Sequence, residues 1–384
     1  MYINYLRRKA VFRLKQKISQ VHRFNEIPDD ANTLLVTARH ELAETQIYPF
    51  YFYRAALRER GVEHVELPIA SLVEEMADPL QARPQPNPNI RRVFVQHGFM
   101  MPDQAVEEIL DTLAAAFPFA RIAFMDWFAP LHIRYASCSA PYIDLYIKKQ
   151  LYRDYREFSK PTLGDTNLND YYARRFSLDD PAMQYSPPPG FEEKLRLGSN
   201  FCLSPQMVDY FLGAPPPADG RDIDLHARIA VNGVPWYQAM REEARNAVGR
   251  LRGIRIAAEG RVRRHKFFAE MQRSKLCFSP FGYGEVCWRD YEAFATGALL
   301  LKPDVEHLAV VPEAFESEQT YVPLRWDLAD LEDKVDYYLK HEDERKAICR
   351  NAFERIKASI VGEQMPRELA ALSLGRDVAH GAAV

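Results

Sequence analysis

Patterns typical of buried strands alternate with helical patterns twice along the chain. In the first half, short apolar and β-branched runs predict strands at residues 33–37, 64–69, 92–96, 121–125 and 143–148. In the second half, similar runs predict strands at residues 223–231, 255–258, 276–279 and 298–301. Because strands that alternate with helices form parallel sheets covered on both faces, we predict an α/β chain with two Rossmann-like, doubly wound domains.

The length of 384 residues is sufficient for two domains of ordinary size. Proline clusters at 187–189 and 215–217 flank the predicted boundary, and a third proline-rich loop is predicted at 81–89. We predict an N-terminal domain over residues 1–205 and a C-terminal domain over residues 206–384, with the final helices free to pack back on the first domain. Two such domains are expected to face each other across a cleft that binds ligands.

The composition excludes several classes of protein. The formal net charge is −3, and the sequence has no basic stripe, so a nucleic-acid partner is not expected. The five cysteines form no CxxC pair, which argues against a disulfide framework or a cysteine-rich zinc site. No apolar run is long enough to cross a bilayer. We therefore expect a cytoplasmic protein in a reducing compartment.

Residues 1–24 carry apolar side chains at helical spacing with basic side chains between them. The basic residues leave no apolar core of the kind found in a signal peptide. A helix of this kind either packs on the protein body or contacts an anionic membrane surface. Both interpretations stay open, and the second predicts a peripheral position at the inner face of the membrane.

The stretch 277–304 combines a buried strand, a turn with Gly282 and Gly284, and a helix predicted over residues 285–295. Glycines let a backbone approach a ligand closely, and a helix N-terminus has free N–H groups and a positive potential. A phosphate or diphosphate fits such a position. The turn with its following helix is therefore the strongest candidate for a ligand site.

On the predicted helix, Glu285, Arg289 and Glu292 are spaced to share one face. Such a face can be a solvated one with internal ion pairs, which are common and weak. It begins beside the glycine turn, however, and the helix leads directly into a buried strand. We favour a face that contacts a ligand.

Residues 292–298, EAFATGA, resemble the helix-to-strand signature of GT-B glycosyltransferases of the "glycosyl transferases group 1" type. The spacing of Arg289 and Glu292 is also similar to the R-x-x-EA helix of exostosin-like transferases. The resemblance extends over residues 222–360, and in the first half it extends only to the architecture. In that family two glutamates contact the donor. Glu292 matches the glutamate that holds the ribose, and Glu285 stands one residue away from the position of the glutamate that holds the sugar hydroxyls.

The resemblance implies transfer of a sugar from a nucleotide-sugar to an acceptor hydroxyl, with no metal and no other cofactor. It places the donor on the C-terminal domain and a glycan or glycolipid acceptor on the N-terminal domain. Without a metal, the leaving diphosphate needs cationic partners, and we expect these at Arg228, in the first strand of the second domain, and at Lys266. Tyr283 is expected either to stack on the nucleotide base or to pack against the glycine turn.

A transferase that inverts the anomeric configuration needs a group that takes the acceptor proton. The candidates follow strands of the N-terminal domain: Asp126 and His97 first, then Glu44. Each has a structural alternative, since such a side chain can also cap a strand end or a turn. A retaining transferase needs no such base, so the stereochemistry stays open.

Two competing functions remain. Gly282-Tyr283-Gly284 begins like the GxGxxG fingerprint of an NAD(P)-dependent oxidoreductase, but Cys287 occupies the position of the third glycine. The other alternative is a non-catalytic nucleotide- or sugar-binding protein of the same fold. The presence of Glu292 and of the basic candidates favours an enzyme over this alternative.

Overall fold

The computed structural model describes residues 2–77, 87–258 and 260–375. Most of the proline-rich loop predicted at 81–89 lies outside these ranges. A six-stranded sheet forms the first half, with the strand order β2-β1-β3-β4-β5-β9 and parallel pairing throughout. Its strands are β1 (Thr33–Thr37), β2 (His64–Pro68), β3 (Arg92–Gln96), β4 (Arg121–Asp126), β5 (Leu145–Lys148) and β9 (Leu195–Leu197).

Helices connect these strands, and a small insertion precedes the last one. The helices of the first half are α1 (Tyr2–Ser19), α2 (Glu41–Phe52), α3 (Arg54–Glu59), α4 (Ile69–Met76), α5 (Asp103–Ala116), α6 (Ala136–Ser139), α7 (Asn167–Phe176) and α8 (Val208–Leu212). The short strands are β6 (Gln150–Tyr152), β7 (Thr162–Leu163) and β8 (Ala182–Met183). None of the helices within the described ranges combines the length and apolar character needed to cross a bilayer.

The second half forms a five-stranded parallel sheet with the order β11-β10-β12-β13-β15. Its strands, with the short β14, are β10 (Ile223–His226), β11 (Ile256–Ala257), β12 (Ser274–Phe278), β13 (Leu299–Pro303), β14 (Leu308–Val310) and β15 (Val322–Leu324). Its helices are α9 (Pro235–Arg250), α10 (Arg264–Gln272), α11 (Trp288–Thr296), α12 (Leu331–Lys340), α13 (Glu342–Val361) and α14 (Gln364–Ser373). Two parallel sheets covered by helices confirm the predicted fold class.

Two predictions about local structure are wrong. The helix expected from residue 285 begins at Trp288, because Cys287 is extended and its N–H is bound by the Asp290 side chain as a helix cap. Glu285 therefore lies in the preceding turn and does not share a helix face with Glu292. The strand predicted at 223–231 ends at His226, so Arg228 follows the strand instead of lying within it.

Several contacts join the two halves. Strand β6 pairs with β14 of the second half, and Arg175 on α7 forms an ion pair with Glu243 on α9. The C-terminal helices pack on the first half, where the Tyr53 hydroxyl donates to the Ile360 carbonyl (2.7 Å). The described contacts thus agree with final helices that pack back on the first domain. The domain boundary at 205/206 falls between the two sheets and stays a prediction.

A buried ion pair anchors helix α11 to its sheet. Lys302, on β13, lies 3.0 Å from the Asp290 carboxylate, and both side chains are fully buried. The same carboxylate accepts hydrogen bonds from the Ser279 hydroxyl (2.6 Å), which follows β12, and from the Cys287 N–H (2.9 Å). The carboxylate therefore ties the start of α11 to the ends of two neighbouring strands.

We predict that Lys302→Met destabilises the protein by about 3–5 kcal/mol, because it keeps the side-chain volume but leaves the Asp290 carboxylate buried without its cation. The measurement is urea unfolding followed by circular dichroism. Arg156→Met, which breaks an exposed ion pair with Asp154, is the control and should not change the midpoint measurably. An unchanged midpoint for Lys302→Met would show that the pair does not anchor the helix.

Candidate active site

The glycine turn follows β12 and contacts the other domain. A Cβ atom on Gly284 would lie 2.1 Å from the carbonyl oxygen of Ala129, which follows β4 of the first sheet. A Cβ atom on Gly282 would meet nothing closer than 3.5 Å. The glycine at position 284 is thus required for the close approach of the two domains. The predicted contact of this turn with a ligand stays a prediction.

Glu285 lies at the same junction. Its side chain is buried, and Gln150 of the first half donates a hydrogen bond to it (3.2 Å) and another to the Ala129 carbonyl (2.9 Å). His307 Nε2 lies 3.7 Å from the other Glu285 oxygen, which has no hydrogen-bond partner. Glu285 therefore bridges the two halves of the molecule, and its predicted contact with the sugar hydroxyls would require an opening of this junction.

Glu292, on α11, lies near the interface between the two domains. The residue is 9% exposed, and burial raises the pKa of its carboxyl while the nearby Arg264 and Arg289 oppose this effect. Arg264 lies 3.8 Å away and also donates to the side chain of Gln206, which in turn donates to Glu41 on α2. This chain of contacts leads from α11 across to the first domain. The predicted ribose ligand therefore lies at the domain interface and not in bulk water.

Two guanidinium groups near the glycine turn lack a carboxylate partner. Arg289, on α11, donates to the Arg228 carbonyl (2.5 Å), and Arg241, on α9, lies over the ring of Tyr237. Within the described part of the chain, no carboxylate comes within ion-pair distance of either group, and the Nε atoms of both lack hydrogen-bond partners. Burial lowers the pKa of Arg241, and the charge of Arg289 adds to this effect. Unneutralised cations beside a helix N-terminus fit an anionic ligand such as a diphosphate.

The two cations predicted from the sequence are placed differently. Arg228 makes two hydrogen bonds with the Glu270 carboxylate (2.7 and 3.0 Å), so its charge is neutralised. Lys266, on α10, is exposed and lies 4.0 Å from the same carboxylate. Their roles as phosphate ligands stay predictions, but the geometry favours Arg241 and Arg289. The sequence contained a signal for Arg241, since it interrupts the apolar buried stripe of α9.

Tyr283 stands at the outer edge of this region. Its ring stacks on that of Tyr237, with centroids 4.4 Å apart and planes 9° apart, and 45% of the residue is exposed. The side chain therefore packs beside the turn and still presents an accessible aromatic surface. Both predicted interpretations, packing and base stacking, are compatible with this position.

Asp126 and His97, the first candidates for the catalytic base, are sealed inside the first domain. The Asp126 carboxylate accepts from the Tyr146 hydroxyl (2.7 Å), the Lys148 ammonium (2.9 Å) and the Phe128 N–H (3.0 Å), and His97 Nε2 lies 3.4 Å away. Burial acts to raise the pKa of Asp126, but Lys148 and His97 outweigh it and hold the pKa well below its usual range. A saturated, weakly basic and inaccessible carboxylate does not suit proton abstraction.

Glu44, the third candidate, is placed better. It lines a narrow crevice of about 10 Å³, and the other residues that line it are Lys9, Glu41, Thr45, Ser204, Pro205, Gln206 and Trp288. Trp288 is the first residue of α11, so the crevice lies between α2 and α11. Burial raises the pKa of Glu44, although its ion pair with Arg13 opposes this. Among the three predicted bases, the geometry therefore favours Glu44.

Residues 219–369 match the model of a family described as glycosyl transferase-like. This match confirms the resemblance found in the C-terminal sequence, and it covers the glycine turn, α11 and the unneutralised guanidinium groups. No curated protein has a significant sequence match to the chain.

Several solved structures of glycosyltransferases resemble this chain at low sequence identity. A glycosyltransferase from Rickettsia africae is 11% identical, with 90% of this chain and 100% of that chain covered and a TM-score of 0.48. HepE from Anabaena in complex with UDP is 9% identical, with coverage of 88% and 98% and a TM-score of 0.44. Sucrose-phosphate synthase from Thermosynechococcus elongatus is 14% identical, with coverage of 89% and 98% and a TM-score of 0.44.

We predict that Gly284→Ala forces the two domains apart, because the added methyl group would collide with the Ala129 carbonyl. Gly282→Ala is the matched control, since a Cβ there has space. Small-angle X-ray scattering should show a larger radius of gyration for Gly284→Ala only. Equal radii for the two variants would contradict the assigned contact.

Proposed function

We propose that the protein transfers a sugar from a nucleotide-sugar to an acceptor hydroxyl without a metal ion. The observation that carries this proposal is the buried carboxylate of Glu292 near the guanidinium of Arg289, which in turn lies near that of Arg241. Glu292 and Arg289 belong to α11, whose first residue, Trp288, lines the crevice opposite α2. A nucleotide-sugar offers a matching set of groups, since ribose hydroxyls donate to a carboxylate and a diphosphate pairs with guanidiniums. The match to the glycosyl transferase-like model over residues 219–369 supports the same reaction.

The reaction breaks the bond between the anomeric carbon and the phosphate oxygen and forms a bond from that carbon to the acceptor oxygen. Arg241 and Arg289 stabilise the negative charge that develops on the leaving nucleoside diphosphate. In an inverting reaction Glu44 takes the acceptor proton, and its raised pKa improves it as a base near neutral pH. In a retaining reaction this proton passes to the leaving phosphate, and Glu44 positions the acceptor.

We predict that UDP- or GDP-type compounds raise the melting temperature of the protein and that Glu292→Ala abolishes this shift. A ligand at 100 times its Kd stabilises the folded state by about 2.7 kcal/mol. The measurement is a thermal-shift screen of nucleotides and nucleotide-sugars. Glu354→Ala, on the exposed face of α13, is the control and should keep the full shift.

Other outcomes of the screen favour the competing functions. A shift with NAD(P) that Glu292→Ala retains would indicate an oxidoreductase. Binding of a nucleotide-sugar with no release of nucleoside diphosphate, in the presence of glycan acceptors, would indicate a non-catalytic binding protein. Loss of transfer on addition of a chelator would contradict the proposed independence from metals.

We further propose that α1 places the protein at the cytoplasmic face of an anionic membrane, which favours a glycan or glycolipid acceptor of a surface polymer. One face of α1 docks on the first domain through Phe12 and Gln16. The opposite face exposes the apolar side chains of Leu6, Val11, Leu14 and Ile18, and the exposed basic side chains on the same helix include Arg7, Lys15 and Lys17. An exposed apolar stripe with basic flanks is typical of helices that lie on anionic bilayers.

We predict that the protein sediments with vesicles of phosphatidylglycerol and phosphatidylcholine and not with phosphatidylcholine alone, because the basic residues need an anionic surface. Ile18→Asp should lower the bound fraction several-fold. Val361→Asp is the control, since it introduces the same charge at an exposed apolar position on α13. Equal loss in both variants, or binding that 0.5 M salt does not weaken, would contradict this role for α1.

A further inference from the structure

Two consecutive lysines at the carboxyl end of β5 have opposite electrostatic surroundings. Lys148 is fully buried and pairs with the Asp126 carboxylate at 2.9 Å. Lys149 is 3% exposed and has no such partner. Its ammonium donates to the carbonyl oxygen of Leu42 (3.2 Å) and lies 4.7 Å from the ring centre of Phe201. In the part of the chain that the structure describes, no carboxylate lies within ion-pair distance of Lys149.

A buried ammonium with one carbonyl acceptor is costly for the folded state, because most of its hydration is lost without compensation. Burial and the adjacent Lys148 lower the pKa of Lys149 to about 7, so the group is readily converted between its two protonation states near neutral pH. Asp126 acts in the opposite direction but is already saturated by Lys148 and Tyr146. The fold thus neutralises one lysine of the pair and leaves the other uncompensated.

The neighbours of Lys149 show where a group that pairs with its charge could bind. The Leu42 carbonyl that accepts from Lys149 also accepts from the Thr45 hydroxyl (2.7 Å), and Thr45 lines the domain crevice. Phe201, below the ammonium, packs against Trp288 at the start of α11 with ring centres 4.6 Å apart. Lys149 therefore lies behind the residues that line the crevice, between the N-terminus of α2 and the N-terminus of α11.

We propose that Lys149 is the N-terminal domain's ligand for the phosphate group of the substrate that enters this crevice. The inference rests on the proposed function, in which that group is the diphosphate of the nucleotide-sugar. The proposed function assigns the diphosphate to Arg241 and Arg289 of the second domain, and Lys149 is an additional cation from the first. An ammonium that pairs with the substrate regains the interactions that it lacks in the free protein, so it adds to binding and stabilises the leaving group as its charge develops.

The test compares Lys149→Met with the wild type in two measurements. Removal of an uncompensated buried charge should leave the melting temperature equal or higher, whereas a merely structural lysine would lower it on replacement. In calorimetric titrations, the affinity for UDP or GDP, whichever binds the wild type, should fall roughly 10- to 100-fold, as expected for loss of a charge-assisted hydrogen bond. The affinity for the corresponding uncharged nucleoside should not change.

Inorganic pyrophosphate separates this inference from the proposed function. If the wild type binds no nucleotide but is stabilised by pyrophosphate, and Lys149→Met is not, then the phosphate ligand is correct and the nucleotide-sugar is wrong. If Lys149→Met binds the nucleotide and pyrophosphate as tightly as the wild type, or if the wild type binds neither, the inference is overturned. Should Lys149→Met fail to fold, Lys149→Gln is measured by the same criteria.

Discussion

The buried contact between Lys302 and Asp290 determines where α11 lies. A carboxylate in the interior is stable only when cations and hydrogen-bond donors compensate it, and Asp290 receives Lys302, Ser279 and the Cys287 N–H. These donors come from both neighbouring strands and from the turn before α11. The first turn of α11 cannot shift without breaking this set. Arg289 and Glu292, which project from the same helix, are positioned by an interaction that they do not make themselves.

The first domain has a similar buried ion pair at the carboxyl end of its own sheet. Asp126, the last residue of β4, is compensated by Lys148 at the end of β5 and by Tyr146. The pair fixes the carboxyl ends of two strands, from which the Ala129 loop extends to Gly284 of the other domain. An ion pair thus fixes the carboxyl ends of the strands in each sheet. The loops that follow these ends meet where Gly284 contacts Ala129, and only glycine fits at position 284. The crevice between α2 and α11 follows from this closed arrangement.

The sequence predicted the fold well, because hydrophobic periodicity is a local signal. The strands at 33–37 and 92–96 have the predicted bounds, and the wrong helix start at residue 285 came from an unforeseen cap at Cys287. The site was harder to predict, since the sequence does not show which charges become neutralised. Arg228 has suitable chemistry for a phosphate ligand, and Asp126 for a base. Glu270 neutralises the charge of Arg228, however, and Lys148 neutralises that of Asp126. These partners are distant in sequence or lie on another strand, so only the tertiary structure reveals them.

Which cationic side chains have a carboxylate partner is therefore more informative about the site than where the cationic side chains lie. Lys148, Lys302 and Arg228 have carboxylate partners, and each one holds two elements of the fold together. Arg241, Arg289 and Lys149 are as deeply placed or nearly so, and within the described residues they have carbonyl or aromatic neighbours instead. The same fold that places carboxylates beside Lys148, Lys302 and Arg228 leaves Arg241, Arg289 and Lys149 without them. Since buried cations without anions weaken the folded state, the presence of these three favours the anionic ligand that we propose.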